Sequence, residues 1–307
     1  MRLALIGLGK MGANMARRLL RGGVEVVGYN RSPKITRRLA ADEGLIAADS
    51  LAAAVGQLSP PRVVWLMLPS GAPTADTLEA LGPLLEAGDL VVDGGNANYR
   101  HSLQRAESLN ARGIDFVDAG VSGGVWGLEE GYCLMLGGGE AAIQTLSPAL
   151  RVLAPAPDRG WAHVGPPGAG HYTKMIHNGI EYALMQAYAE GFALMRAKQE
   201  FGLDLARIAE LWRHGSVVRS WLLDLTAGAL AQDTGLEGIA PVVPDSGEGR
   251  WTAIESVDLG VAAPVINMAL HMRFASQGQA DYGNRLLARM RQAFGGHAVK
   301  TTEPERD

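Results

Sequence analysis

The 307-residue sequence predicts an α/β doubly wound sheet followed by an all-α domain, on three observations. A short apolar run, Leu3-Ala4-Leu5-Ile6, leads directly into Gly7-Leu8-Gly9-Lys10-Met11-Gly12 and then into a helix-like stretch, Ala13 to Leu20. Apolar runs of strand length then alternate with helix-like stretches, which is the pattern of a mostly parallel sheet. After Gly165-Pro166-Pro167-Gly168-Ala169-Gly170 the strand patterns stop and alanine- and leucine-rich helical stretches take over. Two domains follow from this, a dinucleotide-binding domain at 1–167 and an all-helical domain at 168–307.

Composition narrows the function. Hydrophobic residues at 47% and charged residues at 20% are ordinary for a folded globular protein. A net charge of −4 argues against nucleic-acid binding as the main task. No run of about 18 apolar residues is present, so no membrane span is expected. Met1 to Ile6 lead straight into the glycine turn rather than into a signal peptide's apolar segment, and a single cysteine suits a reducing compartment. A cytoplasmic location is the expectation. Cys133, within Tyr132-Cys133-Leu134-Met135-Leu136, is expected to be a buried packing residue.

Strand, glycine turn and helix in succession are the context a dinucleotide fingerprint requires. Gly7 would make the tight turn, Gly9 admit a pyrophosphate to the backbone, and Gly12 let helix and strand pack closely. Leu8, Lys10 and Met11 complete the loop, and the amides at the helix start supply the anion site. The second strand, Val24 to Tyr29, ends at Asn30-Arg31-Ser32. A carboxylate there would bond the ribose diol of NAD and repel a 2′-phosphate. A guanidinium and a hydroxyl favour NADP, with NAD as the alternative.

Val63 to Leu68 reads as a buried strand, and Leu68 and Pro69 open a loop at the ligand edge of the sheet. Leu90 to Val92 is the next strand, ending at Asp93-Gly94-Gly95-Asn96. A helix from about Arg100 to Ala111 precedes the strand Asp115 to Asp118. Gly120-Val121-Ser122-Gly123-Gly124 reads as a turn whose amides and hydroxyl can hold a carboxylate. Strands at Cys133 to Leu136 and Ala162 to Val164, around a helix from Ala141 to Leu153, complete the sheet.

The second half reads as helices at about 171–202, 205–212, 221–231, 261–275 and 282–294. Asp245 to Thr252 reads as a glycine-rich loop. His163, His171, His177 and His214 have no metal-ligand spacing, so no metal is expected. The informative stretch is Lys174-Met175-Ile176-His177-Asn178-Gly179-Ile180-Glu181-Tyr182. As a helix it puts Lys174, His177, Asn178 and Glu181 at i, i+3, i+4 and i+7, on one face. Lys174 and Glu181 then lie about 10.5 Å apart along the axis, able to converge on opposite ends of a small polyol as base and acid.

These motifs, with Arg291-Gln292-Ala293-Phe294-Gly295-Gly296-His297, resemble those of the 6-phosphogluconate dehydrogenase family in its shorter-chain form, within the 3-hydroxyacid dehydrogenase superfamily. The resemblance covers nearly the whole chain, and Lys174 to Tyr182 is its specific part. It implies a homodimer, with a tetramer as the alternative, and oxidative decarboxylation of 6-phosphogluconate to ribulose 5-phosphate and CO2. Lys174 would be the base, and Glu181 the acid that protonates C1. Asn96, Ser122, Gly123 and Gly124 would hold the sugar acid and the nicotinamide end, and His177 and Asn178 the hydroxyls. Tyr182 and Arg219 would take the phosphate, with Arg291 and His297 reaching in from the partner subunit.

The sequence departs from the long-chain form at Ser246 and Glu248, where that form carries a Lys and a Thr that contact phosphate. Shorter relatives often carry an acid at position 30 and prefer NAD. Two rival readings stand beside this one: an NAD(P)-dependent dehydrogenase or reductase of an unphosphorylated 3-hydroxy acid, and an NADP-binding sensor without catalysis.

Overall fold

A computed structural model describes residues 1–295 and 298–300. Its contacts divide the chain into two compact units, Met1–His177 and Asn178–Asp307.

The first unit alternates strand and helix from its start: β1 (Arg2–Ile6), α1 (Lys10–Arg21), β2 (Glu25–Tyr29), α2 (Pro33–Glu43), β3 (Ile46–Ala47) and α3 (Leu51–Gly56). Then come β4 (Val63–Leu66), α4 (Ala72–Leu81), β5 (Leu90–Asp93), α5 (Tyr99–Asn110) and β6 (Asp115–Ser122). The unit closes with α6 (Gly127–Glu130), β7 (Cys133–Gly138), α7 (Glu140–Leu153), β8 (Trp161–Gly165) and the first turns of α8 (Ala169–Ala197). All eight strands form one sheet in the order β3-β2-β1-β4-β5-β6-β7-β8, parallel except for the antiparallel β6–β7 pair. The order reverses between β1 and β4, which places a ligand crevice at their C-terminal ends.

Strands buried on both faces explain the near-continuous apolar runs. Leu3 and Leu5 face one apolar core with Met15, Leu19 and the α7 residues Leu146 and Leu150. Ala4 and Ile6 face the other, with Val55, Leu81, Ala106 and Leu109. Arg18 of α1 fastens the first layer by donating to the carbonyls of Val152, Leu128 and Ala154 at 2.8, 3.0 and 2.7 Å.

In the second unit, α9 (Leu205–Trp212) and α10 (Trp221–Gln232) pack with Phe192 of α8 around Ala209, Leu223 and Ala227. Asp204 and Ser220 cap these helices through the Arg207 and Leu223 amides at 3.0 and 3.1 Å. α11 (Glu248–Asp258) and α12 (Pro264–Ser276) form a smaller cluster with Tyr182, Ala269 and Leu270. α13 (Asp281–Gly295) exposes Tyr282, Leu286, Leu287 and Met290.

Three expectations are corrected. Gly120-Val121-Ser122 is not a turn but the end of β6, paired with Met135, Leu134 and Cys133 of β7, and the chain turns only at Gly123-Gly124. Glycine suggested a loop there, whereas close approach of a helix is what requires it. The stretch from Glu248 is the first part of α11 rather than loop, with Gly249 and Thr252 buried. Cys133 is exposed although Tyr132 and Leu134 on either side of it are buried, because neighbouring residues of an extended chain point to opposite faces.

Tyr132, wholly buried, has a hydroxyl with no hydrogen-bond partner among the described residues, and burial pushes its pKa up to about 12 from 10.0. The unfolded chain therefore loses this proton first. Stability is intact below about pH 10 and falls as pH rises through about 12, by a contribution on the order of 2–3 kcal/mol. Tyr132→Phe is expected to raise the midpoint of thermal unfolding at neutral pH and to flatten the stability loss above pH 10. Denaturant titrations at neutral and alkaline pH measure both.

Candidate active site

The crevice at the ends of β1 and β4 is built from the backbone outward. Gly7 donates to the Tyr29 carbonyl at 2.9 Å with φ +95°, and a Cβ there would lie 2.5 Å from the Met67 oxygen. A Cβ on Gly12 would lie 2.0 Å from the Gly7 oxygen, so α1 can start this close to β1 only with glycine. Gly9 faces open space, with nothing within 4 Å of its missing Cβ. It precedes α1, whose N-terminus has no side-chain cap and no acidic residue in its first turn. These uncapped amides and the open face above Gly9 fit the pyrophosphate of a dinucleotide. Leu8 is buried behind the loop, Lys10 is exposed, and Met11 packs against the core.

Asn30 accepts the Leu8 amide at 2.9 Å and donates to the Ser32 carbonyl at 3.1 Å, so its amide is spent on shaping the loop. Arg31 and Ser32 are exposed beside it. Leu68 is half-buried and Pro69 exposed beyond the end of β4, with the Pro69 carbonyl held by Thr74 at 2.8 Å. Asn96 is exposed beyond β5, where buried Asp93 pairs with Arg105 at 2.5 Å. Ser122 ends β6, followed by Gly123 at φ +137° and Gly124 at φ +54°.

The same unit contains the start of α8. Lys174 is 6% exposed, and its Cβ would lie 2.4 Å from a Cβ built on Gly120 of β6. His177 is half-buried. Asp118 of β6 accepts the amides of Gly168 and His171, and the buried His171 ring bonds Ser102 at 2.6 Å. The sequence reading assigned Asp118 and Ser102 no part; an aspartate inside an apolar strand was the signal that an ionised group there needs a buried partner.

In the second unit Asn178 and Tyr182 are buried and Glu181 half-buried. A Cβ on Gly179 would lie 2.6 Å from Thr252, and one on Gly249 2.4 Å from the Tyr182 ring, so α8 and α11 pack through glycine. The Tyr182 hydroxyl donates to Asp245 at 3.3 Å and accepts the Ser246 amide at 3.1 Å. Arg273, which the sequence reading missed, lies over the Tyr182 ring at 3.4 Å and donates to the Pro244 carbonyl at 2.9 Å. Arg219 is exposed in the connection before α10 and makes no side-chain hydrogen bond or ion pair among the described residues. Arg291 is exposed on α13, and His297 lies outside the described residues. No group of three His, Cys, Asp or Glu suited to a metal occurs among the described residues.

The description "NAD binding domain of 6-phosphogluconate dehydrogenase" matches residues 2–165, and "6-phosphogluconate dehydrogenase, C-terminal domain" matches residues 170–306. The chain belongs to the 6-phosphogluconate dehydrogenase family. Among its members, the NAD(+)-dependent, decarboxylating 6-phosphogluconate dehydrogenase of Haloferax volcanii is 42% identical over 300 residues, covering 97% of this chain and 98% of that one. An enzyme of the same name from Bacillus subtilis is 35% identical, covering 89% of this chain and 61% of its own. The structure of Plasmodium falciparum 6-phosphogluconate dehydrogenase, studied with its cofactor NADP+ and its substrate 6-phosphogluconate, superposes with a TM-score of 0.83 at 27% identity, over 100% of this chain and 67% of that one. Mycobacterium tuberculosis 3-hydroxyisobutyrate dehydrogenase shares the fold, with a TM-score of 0.72 at 23% identity over 91% of this chain and 94% of that one.

This family member is an NAD(P)-binding oxidoreductase, and both nucleotides are represented among its relatives. With Asn30 committed to the loop, Arg31 is an exposed charge beside it at the end of β2. Arg31→Asp is expected to shift the kcat/KM ratio from NADP toward NAD by about tenfold or more. Steady-state kinetics with both nucleotides measures it, and an unchanged ratio excludes Arg31 from the choice.

Proposed function

We propose that this enzyme oxidatively decarboxylates 6-phosphogluconate to ribulose 5-phosphate and CO2, reducing NADP in preference to NAD. What carries the reading is α8: a single helix, Ala169–Ala197, with Lys174 buried over β6 and Glu181 two turns further along the same face. Its relatives of matching length and name support the substrate.

When bound, the nicotinamide supplies the hydride acceptor for C3. Lys174, as a neutral amine, takes the proton of the 3-hydroxyl and returns it to that oxygen as CO2 leaves C2. Glu181 then protonates the former C2, now C1 of the enediol, while Lys174 recovers the proton of the hydroxyl on the former C3, leaving the 2-ketone of ribulose 5-phosphate. A lysine serves as a base near neutrality only where burial or a neighbouring cation disfavours its charged form, and the buried seat of Lys174 supports that role. Asn96, Ser122, Gly123 and Gly124 hold the carboxylate and the nicotinamide end, and His177 and Asn178 hold the hydroxyls.

Tyr182 binds the phosphate. Arg273, stacked on its ring, supports the view that this cation takes the part first given to Arg219 and offsets the absence of a lysine at Ser246. The second domain, 168–307, is the dimerisation domain. Apolar Val217, Val257, Leu286 and Met290 stand exposed on it, as an interface between two copies would leave them in one chain. Arg291 then serves the phosphate of the partner's site.

The direct test is absorbance at 340 nm on mixing the enzyme with NADP and 6-phosphogluconate, with CO2 measured in parallel. Nucleotide reduction with equal CO2 release supports the reading. Reduction with an unphosphorylated 3-hydroxy acid and no CO2 contradicts it. Lys174→Met is expected to abolish turnover and leave nucleotide binding intact, read by titration calorimetry; retained turnover removes Lys174 as the base. Arg273→Ala and Arg291→Ala are each expected to raise KM for 6-phosphogluconate by about tenfold or more. Mixing Arg291→Ala with Lys174→Met chains should restore part of the activity if Arg291 acts across subunits.

A further inference from the structure

Alternate residues of a strand share a face, so β6 presents Asp118, Gly120 and Ser122 on one side. Asp118 is wholly buried and divides its oxygens: Oδ1 accepts the Gly168 amide at 2.6 Å and Oδ2 the His171 amide at 2.7 Å. These belong to the N-terminal end of α8, where helix amides have no partner within the helix. A carboxylate from the middle of the sheet thus caps α8, with its charge against the positive end of the helix dipole. Burial pushes the Asp118 carboxyl above its ordinary range, opposed by the nearby His171 and by the two amide bonds.

The other contacts of this turn leave no slack. A Cβ on Gly170 would lie 2.3 Å from the Asp118 carbonyl oxygen, and one on Gly137 2.5 Å from Asp118 Oδ1. Ser102 of α5 holds the His171 ring from another side, with both residues buried. At Gly120 a Cβ would lie 2.4 Å from Lys174 Cβ and 2.8 Å from the Gly170 oxygen. The stem of Lys174 therefore rests where a side chain of β6 would otherwise be.

We propose that Asp118 and Gly120 are positioning residues for Lys174. The carboxylate fixes where α8 begins, and the missing side chain sets how deeply the lysine stem lies against the sheet. Ser122, on the same face of the same strand, then stands at a fixed distance from the amine. This rests on Lys174 being the base, and a misplacement of about 1 Å at such a group costs about a hundredfold in rate.

The test compares three variants. Asp118→Asn keeps the shape but sets an NH2 against an amide donor, so one bond to α8 is lost. Gly120→Ala leaves the cap intact and displaces the lysine stem. Arg62→Ala removes the 3.0 Å pair with Asp89, which lies just before β5 at the N-terminal ends of the strands, and serves as the stability control. Asp118→Asn and Gly120→Ala are expected to lower kcat about a hundredfold with nucleotide affinity unchanged, and Asp118→Asn to speed hydrogen exchange across residues 168–174. Arg62→Ala should lower the unfolding temperature with kcat unchanged.

If Asp118→Asn does not fold, Gly120→Ala decides. A kcat in either variant that falls no further than the folded fraction does, or a loss seen wholly in KM, overturns the positioning role. Failure of the underlying reading shows separately, as turnover retained by Lys174→Met, while hydrogen exchange in Asp118→Asn still reports on the anchor.

Discussion

A carboxylate closed on two amides at the start of a helix, Asp118 on Gly168 just before α8 and on His171 in its first turn, is the constraint on which the seat of Lys174 depends. Helix α8 has its first turns within the sheet-bearing unit and its remainder within the helical one. Whatever fixes the start of α8 fixes the place of Lys174 over β6. A buried carboxylate is costly unless its oxygens are satisfied, and here both are. The anchor and the glycine seat at Gly120 act on the helix at adjacent turns, so neither its axial position nor its depth is left to surface contacts.

The same economy appears at the other end of the proposed reaction. The crevice between β1 and β4 is shaped by backbone, with glycine at the two closest approaches and helix amides left open for an anion. Asn30 is spent on the loop, and Arg31 and Ser32 stand exposed beside it. In the helical unit, Tyr182 is fixed through its hydroxyl by Asp245 and Ser246 and through its ring by Arg273. A cation stacked on a tyrosine is pre-oriented for a phosphate at little further cost in side-chain entropy.

Most of the fold was legible because its signals are local. Strand, glycine turn and helix follow one another within the first twenty-one residues, and the helical periodicity of the second half survives without partners. Where glycine serves long-range packing, local reading failed. Gly120 and Gly249 look like turn residues, yet one lies in a strand under Lys174 and the other in a helix against Tyr182. Cys133 sits between two buried residues and is itself exposed, an alternation that an apolar run does not reveal. The face carrying Lys174, His177, Asn178 and Glu181 was readable from spacing alone. Asp118, Ser102 and Arg273 were not, because each acts on a residue at least 50 positions away.

The central claim is that one helix aims a base and an acid at the neighbouring carbons of one substrate where oxidation and decarboxylation take place. A crystal structure of the enzyme with 6-phosphogluconate and a nucleotide that cannot accept hydride tests it most directly. Lys174 Nζ is expected within about 3.2 Å of the C3 hydroxyl oxygen, with a Glu181 carboxylate oxygen in reach of C2, the carbon that loses CO2, directly or through one water. A substrate bound with its C3 hydroxyl out of reach of Lys174, or with Glu181 turned to bulk solvent, would contradict it.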